Sequence, residues 1–225
     1  MLRRGPDHAG HGFRDAATVV TEPLTEWVIE ELPEAARGGI GLPELRSAGT
    51  TITADLAPFD QRRLGMLNGA HTLLAYAGLL RGHATIADAF GDEAGRCRAE
   101  QWWDAASRHV PLPADEVAAY RRALAERSGN PRIRHLVSQV AQDPLAKLPV
   151  RVIPVLRGEL AARRLDASVA RPVAAWLAAT TDRADLTIDR VRAAIGALDA
   201  ECAAHDQVVA LVCAVTAEMH GAGTR

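Results

Sequence analysis

The chain of 225 residues predicts a mainly α fold with a small extended region near its N-terminus. Three observations carry that expectation. The composition is rich in Ala, Leu, Arg and Val and poor in aromatics, which favours helices. Beyond Pro58, apolar residues recur with helical period almost to the C-terminus. Before Pro58, the runs over residues 18–21 and 50–53 are rich in Thr, Val and Ile and read as short strands. The length is enough for a substantial hydrophobic core.

Residues 1–16 read as a loose N-terminal arm, and 17–225 as one helical domain. Leu24-Thr25-Glu26-Trp27-Val28-Ile29-Glu30 reads as strand or helix, and Gly38-Gly39-Ile40-Gly41-Leu42-Pro43 as a loop. Asp60 is a suitable N-cap for a helix over 61–80, which Arg81-Gly82 closes. A short helix over 85–90 follows, with Thr85 near its start. The next, over 93–109, carries Trp102 and Trp103 and is broken by Pro111 and Pro113. An amphipathic helix over 114–127 ends at Ser128-Gly129-Asn130-Pro131. Pro131 occupies a favoured first-turn position and opens a helix to about residue 142. Asp143-Pro144 starts another, running to about 151 and resuming over 155–163. Helices over 168–180, 187–198 and 201–220 complete the chain, with a polar turn at 182–185 between the first two.

Charge and cysteine content exclude several classes. The formal net charge is -2 with no block of like charges, so neither nucleic acid nor an anionic membrane is expected as a partner. A helix-turn-helix with a basic face is not evident. No apolar run reaches the roughly 18 residues needed to span a bilayer, and residues 1–13 contain no apolar stretch of a secretory leader. Cys97, Cys202 and Cys213 have no metal-ligand spacing, so no metal is expected. Sparse, unpaired thiols fit a cytoplasmic protein. Lys147 is the only lysine; every other basic residue is Arg.

The densest chemistry lies in Arg63-Leu64-Gly65-Met66-Leu67-Asn68-Gly69-Ala70-His71. At about 100° per residue, His71 falls roughly 80° and Asn68 roughly 140° from Arg63. Three polar heads thus share the arc with Leu64, Leu67, Leu74, Ala75 and Gly78 that should be buried. Buried polar groups need partners or cost roughly 1–3 kcal/mol each. Gly69 costs the helix about 1 kcal/mol relative to Ala, which predicts close approach of another group to the backbone there. The triplet reads either as satisfied core or as a site whose Asn and His hold hydroxyl or carbonyl oxygens.

Asn68-Gly69-Ala70-His71-Thr72, followed by Ala75-Tyr76-Ala77-Gly78-Leu79-Leu80-Arg81-Gly82, resembles the polyol-specific long-chain dehydrogenases. That family includes mannitol, mannitol-1-phosphate, fructuronate and tagaturonate enzymes. Two further blocks are similar in the same order. One is Val19-Val20-Thr21-Glu22-Pro23-Leu24 with Trp27-Val28-Ile29-Glu30. The other is Asn130-Pro131-Arg132-Ile133-Arg134-His135, with Gln139-Val140-Ala141 and the run from Asp143 to Lys147-Leu148-Pro149. The likeness covers roughly residues 15–165 well and the last third weakly. It implies a multi-helical C-terminal domain of the mannitol dehydrogenase type.

The resemblance also implies chemistry. In the family, NAD(P) binds an N-terminal Rossmann domain and a lysine of the matching helix takes the proton from the reacting hydroxyl. Asn and His of that helix orient the substrate oxygens; Asn68 and His71 match them. The lysine position, five before the Asn, is Arg63 here. Arginine stays protonated and is a poor general base, so Arg63 is expected to bind an oxygen or stabilise an alkoxide. Asp60, three residues earlier, stands where many members carry a proton-relaying glutamate, and it also reads as the N-cap. Lys147 matches a substrate-binding lysine or is a surface residue. Gln139 agrees with members that use Gln there.

No GxGxxG follows a strand and no alternating βαβ pattern is present, so no cofactor-binding residue is expected in this chain. The Rossmann domain is expected to be absent from it. The sequence expectation is therefore the substrate-side domain of an oxidoreductase acting on CH–OH groups of polyols or sugar acids, inactive alone. A partner chain with the Rossmann domain, or self-association through an uncovered apolar face, is the implied assembly. The alternative is a non-catalytic helical module that binds polyols or sugar acids, or another protein.

Overall fold

The computed structural model of the chain describes residues 26–31, 45–47 and 49–222. The arm over 1–16, the run over 18–21, the motif over 19–24 and the loop over 38–43 lie outside the described residues. Of the segment open between strand and helix, Val28–Glu30 is strand β1. It pairs in parallel with β2 (Thr51–Thr53), Val28 opposite Thr51, Ile29 opposite Ile52 and Glu30 opposite Thr53. The extended region is thus one two-stranded sheet, and all other regular structure described is helical.

The long predicted helix is continuous but irregular. It opens as α1 (Ala57–Arg62), passes through a π-helical stretch (Arg63–Asn68) and continues as α2 (Gly69–Leu80). Asp60 is not its N-cap. The helix begins earlier, with Pro58 in its first turn, and Asp55 Oδ1 accepts the Ala57 N–H at 2.9 Å. α2 is buried on nearly every side, from Gly69 and Ala70 to Thr72–Gly78, which marks it as the central helix of the core.

Around it lie α3 (Ile86–Gly91), α4 (Glu93–Ser107) and α5 (Ala114–Ser128). Thr85 caps α3 reciprocally with Asp88, a full capping box. The helix expected from Pro131 does not form. Ile86 N–H donates to His135 O at 2.9 Å and Val137 N–H donates to Ala84 O at 3.1 Å. These bonds carry the chain past α3 as an extended bridge, Thr85 opposite Leu136, and leave only the short α6 (Val137–Val140).

α7 (Pro144–Arg151) and α8 (Ile153–Ala161) follow, α7 entered through Asp143 in the left-handed region at φ 55°. The last third is α9 (Ala167–Thr180), α10 (Ile188–Leu198), α11 (Ala200–Ala204) and α12 (Asp206–Ala222). The expected helix over 201–220 is two, because His205 between them is extended at φ -92°, ψ 107°. α9 lies between α2 and α12, and its small residues Ala170, Ala174, Ala175 and Ala178 allow that close packing.

Two adjacent indoles fix the π stretch. Trp102 Nε1 donates to Gly65 O at 2.9 Å, and Trp103 Nε1 donates to Met66 O at 3.0 Å. Both side chains are fully buried, so each indole N–H finds its partner in a carbonyl of the π stretch, Met66 O also taking the Gly69 N–H. The close approach expected at Gly69 is made by Trp102: a Cβ there would lie 2.7–2.9 Å from three of its ring atoms. Gly69→Ala must push the indole off Gly65 and is expected to destabilise the fold by about 1–3 kcal/mol. Urea denaturation measures this, and an unchanged midpoint would contradict the packing described.

Candidate functional site

The π stretch changes the geometry drawn for the polar triplet. Gly69 N–H bonds to Leu64 O, five residues back. The wider turn brings residues five apart closer in angle than a regular α-helix does, so Arg63 and Asn68 lie nearer to one another around the axis than the helical wheel puts them. The triplet is also not in the core. Arg63 is exposed, and Asn68 and His71 are half-buried. With half-buried Leu64, positions 64, 68 and 71 form the stripe along which an otherwise enclosed helix reaches the surface.

Each side chain there has a defined setting. Thr72 Oγ1 donates to Asn68 O at 2.8 Å. Arg151 Nη1, from the last turn of α7, donates to Thr72 Oγ1 at 3.3 Å. The His71 ring meets the His135 ring edge-on, with centroids 5.7 Å apart. Burial pushes the His71 imidazole down to about 3, with the charges of His135, Arg127 and Arg151 adding to the effect. His71 is therefore a neutral imidazole at ordinary pH, able to donate from one nitrogen and accept at the other.

α7 closes the other side. Lys147 Nζ donates to Val140 O at 3.2 Å, and Tyr76 Oη donates to Ala141 O at 2.6 Å. Two side chains from the quoted motifs thus clamp the turn that leads into α7. Burial, the largest influence, pushes the Tyr76 phenol up to about 12, which keeps it a donor. Lys147 and Arg151 are four residues apart and share one face of α7.

The π stretch that carries Asn68 and the helix α2 that carries His71 both pack against α7, which carries Lys147. Asp60 is exposed in the first turn of α1, three residues before exposed Arg63. Gln139 is exposed on α6. Arg151 was not singled out from the sequence, and His135 only as the end of a quoted motif. The four-residue step from Lys147 marks Arg151, whereas His135 arrives only through the bridge to Thr85. Among the described residues no group of three or more His, Cys, Asp or Glu is placed to hold a metal ion. No described helix is long and apolar enough to cross a membrane.

The mannitol dehydrogenase C-terminal domain family matches residues 55–218. D-mannonate oxidoreductase of Escherichia coli (strain K12) is 36% identical over 172 residues, 74% of this chain and 34% of that protein. D-arabinitol 4-dehydrogenase of Ralstonia nicotianae (strain ATCC BAA-1114 / GMI1000) is 33% identical over 151 residues, 66% of this chain and 31% of the relative. The chain spans about a third of the length of these curated relatives. In fold it is similar to a substrate-free D-sorbitol dehydrogenase, with a TM-score of 0.74 at 17% identity, covering 87% of this chain and 44% of the other. It is also similar to Pseudomonas fluorescens mannitol 2-dehydrogenase, solved as a ternary complex with NAD and D-mannitol, at 0.60 and 21% identity, covering 81% and 41%.

Proposed function

Because the chain belongs to the mannitol dehydrogenase C-terminal domain family, we propose that it forms the substrate side of a nicotinamide-dependent oxidoreductase acting on CH–OH groups of polyols or sugar acids. What supports this reading is that the π stretch over Arg63–Asn68 leads directly into α2, which carries His71, and that both pack against α7, which carries Lys147. Neutral His71 and the Asn68 amide hold substrate oxygens. Lys147, which gives one N–H to Val140 O, keeps two for a further hydroxyl. Asp60, exposed three residues before Arg63, stands where the family resemblance puts a relaying glutamate and is left to bind a substrate oxygen.

A nicotinamide held by a cofactor domain would supply the hydride acceptor. Among the described residues there is no strand, glycine loop and helix arranged to cradle a dinucleotide. Arg63 carries a permanent positive charge where the family resemblance expects the base, so it stabilises an alkoxide and removes no proton. The chain as it stands is therefore expected to bind substrate without turning it over. The exposed Leu145 and Val150 flank Lys147 on α7 and favour a second reading, in which this face meets another protein surface.

Thermal denaturation of the purified chain with D-mannitol, D-mannonate or mannitol 1-phosphate tests the proposal, together with NADH absorbance on addition of NAD. Stabilisation by one of the three, reduced in Asn68→Ala and His71→Ala, with no NADH formed, is expected. Turnover by the chain alone contradicts the role given to Arg63. Stabilisation by none of the three contradicts the substrate-side reading.

A further inference from the structure

α7 has little apolar surface of its own to hold it. Leu148 is its one buried side chain, while Leu145 and Val150 are exposed. Its first turn hangs from Asp143 O, which accepts the Ala146 and Lys147 N–H groups at 3.2 and 3.1 Å. Asp143 itself stands in the left-handed region at φ 55°. A residue other than glycine keeps that conformation only where its surroundings fix it. The turn just before Asp143 therefore has to be pinned for α7 to start where it does.

Two side chains pin neighbouring carbonyls of that turn. Lys147 Nζ donates to Val140 O, and Tyr76 Oη donates to Ala141 O at 2.6 Å. The two bonds do different things. The lysine bond joins α7 to its own entry turn, so it travels with both. The tyrosine bond joins the turn to α2, the central helix of the core. Tyr76 is 2% exposed, so its hydroxyl has no water to exchange for that carbonyl. Four residues back on the same face of α2, Thr72 Oγ1 accepts from Arg151 in the last turn of α7 at 3.3 Å. One face of α2 thus grips α7 at its entry and at its end, with Lys147 between, and the grip at the entry is the shorter bond.

Resting on the substrate-side reading above, we propose that Tyr76 is a positioning residue of the site: through Ala141 O its hydroxyl sets where α7 begins, and so where the Lys147 ammonium stands. Tyr76 touches no ligand. Its effect on one passes through Lys147.

Lys147 is the only lysine of the chain, so labelling with 13C-lysine gives a single lysine side-chain NMR signal. Tyr76→Phe keeps the ring and removes only the hydroxyl. In this variant of the full chain, that signal is expected to move toward the position of a freely solvated lysine. The Ala146 and Lys147 amides are expected to exchange with solvent about tenfold faster, while those of α9 keep their protection. Tyr120→Phe removes the other tyrosine hydroxyl of the chain and is expected to change neither reading. Calorimetric titration with D-mannitol, D-mannonate and mannitol 1-phosphate supplies the second arm. Tyr76→Phe is expected to weaken binding about tenfold when Lys147 is present, and less than about twofold in a Lys147→Met background. An unmoved lysine signal in Tyr76→Phe, or equal weakening in both backgrounds, overturns the inference alone. A Tyr76→Phe chain that no longer melts cooperatively overturns it too, since the hydroxyl then supports the whole fold. Binding of none of the three ligands overturns the substrate-side reading, and the lysine signal and amide exchange then decide the positioning of Lys147 by themselves.

Discussion

Glu159→Gln is expected to destabilise the domain by about 2–3 kcal/mol, the loss of charge-assisted hydrogen bonds to a buried carboxylate, moderated because the partly exposed guanidiniums of Arg108 and Arg164 regain water. The Glu159 side chain is fully buried on α8. Arg108 grips it with Nε to Oε1 at 3.1 Å and Nη2 to Oε2 at 2.9 Å; Arg164 does so at 3.2 and 3.1 Å. His109 Nε2 lies 2.6 Å from Oε1, and its ring is pressed against Gly158, where a Cβ would clash with it. A glutamine keeps the shape and removes the charge, leaving two guanidiniums crowded without a counter-ion. For a chain of this size the loss corresponds to a drop in Tm on the order of 10 °C.

The same cluster sets an acid dependence. Burial by itself would raise the Glu159 carboxyl, but hydrogen bonds from Arg108, Arg164 and His109 outweigh it and hold the value at about 2. The folded value lies below that of an unfolded glutamate. The stabilisation is therefore complete above the ordinary carboxylate range and is lost as pH falls toward 2. Melting curves of the unmodified chain and the variant should converge over that interval. A variant within about 0.5 kcal/mol of the unmodified chain at neutral pH would contradict the role assigned to the cluster.

Arg63→Lys is expected to raise turnover by two to four orders of magnitude, the usual contribution of a positioned general base. The assay needs the chain joined to a cofactor domain, for which that of the D-mannonate oxidoreductase of Escherichia coli is suitable, given its 36% identity to this chain. Lysine loses its proton when desolvated and arginine does not. The Arg63→Lys fusion should therefore gain rate as pH rises, while the Arg63 fusion remains nearly inactive throughout. The pH profile separates base chemistry from a general improvement in folding. An Arg63 fusion as active as its lysine variant would contradict the argument.

Much of the helical order was legible because the residues that end helices act locally. Thr85 and Thr187 stand at the expected starts of α3 and α10, and each side chain caps as a Thr should. Features decided by distant groups were not. The π stretch depends on two indoles from α4, so a regular helical wheel put Arg63 and Asn68 too far apart and counted the triplet as buried. Pro131 favours a helix start, but the backbone of Ala84 and Ile86 claims the segment for a bridge. Asp60 suits an N-cap, yet Asp55 reaches the helix end first. The residues of the quoted motif were visible in sequence. The charge environment of His71 was not, because Arg127, His135 and Arg151 converge on it from three separate segments.

On the proposed function, the stripe from Arg63 to His71, with α7, is the surface that holds polyol oxygens. Titrating the isotopically labelled chain with mannitol 1-phosphate and with D-mannonate, and following its nitrogen and imidazole resonances by NMR, tests this most directly. The Asn68 side-chain amide, the His71 ring and the amides around Lys147 and Arg151 are expected to move together and saturate with one affinity. Shifts confined to another face, such as the recess lined by Arg81, His83 and Arg98, or no saturable shift with either ligand, would contradict it.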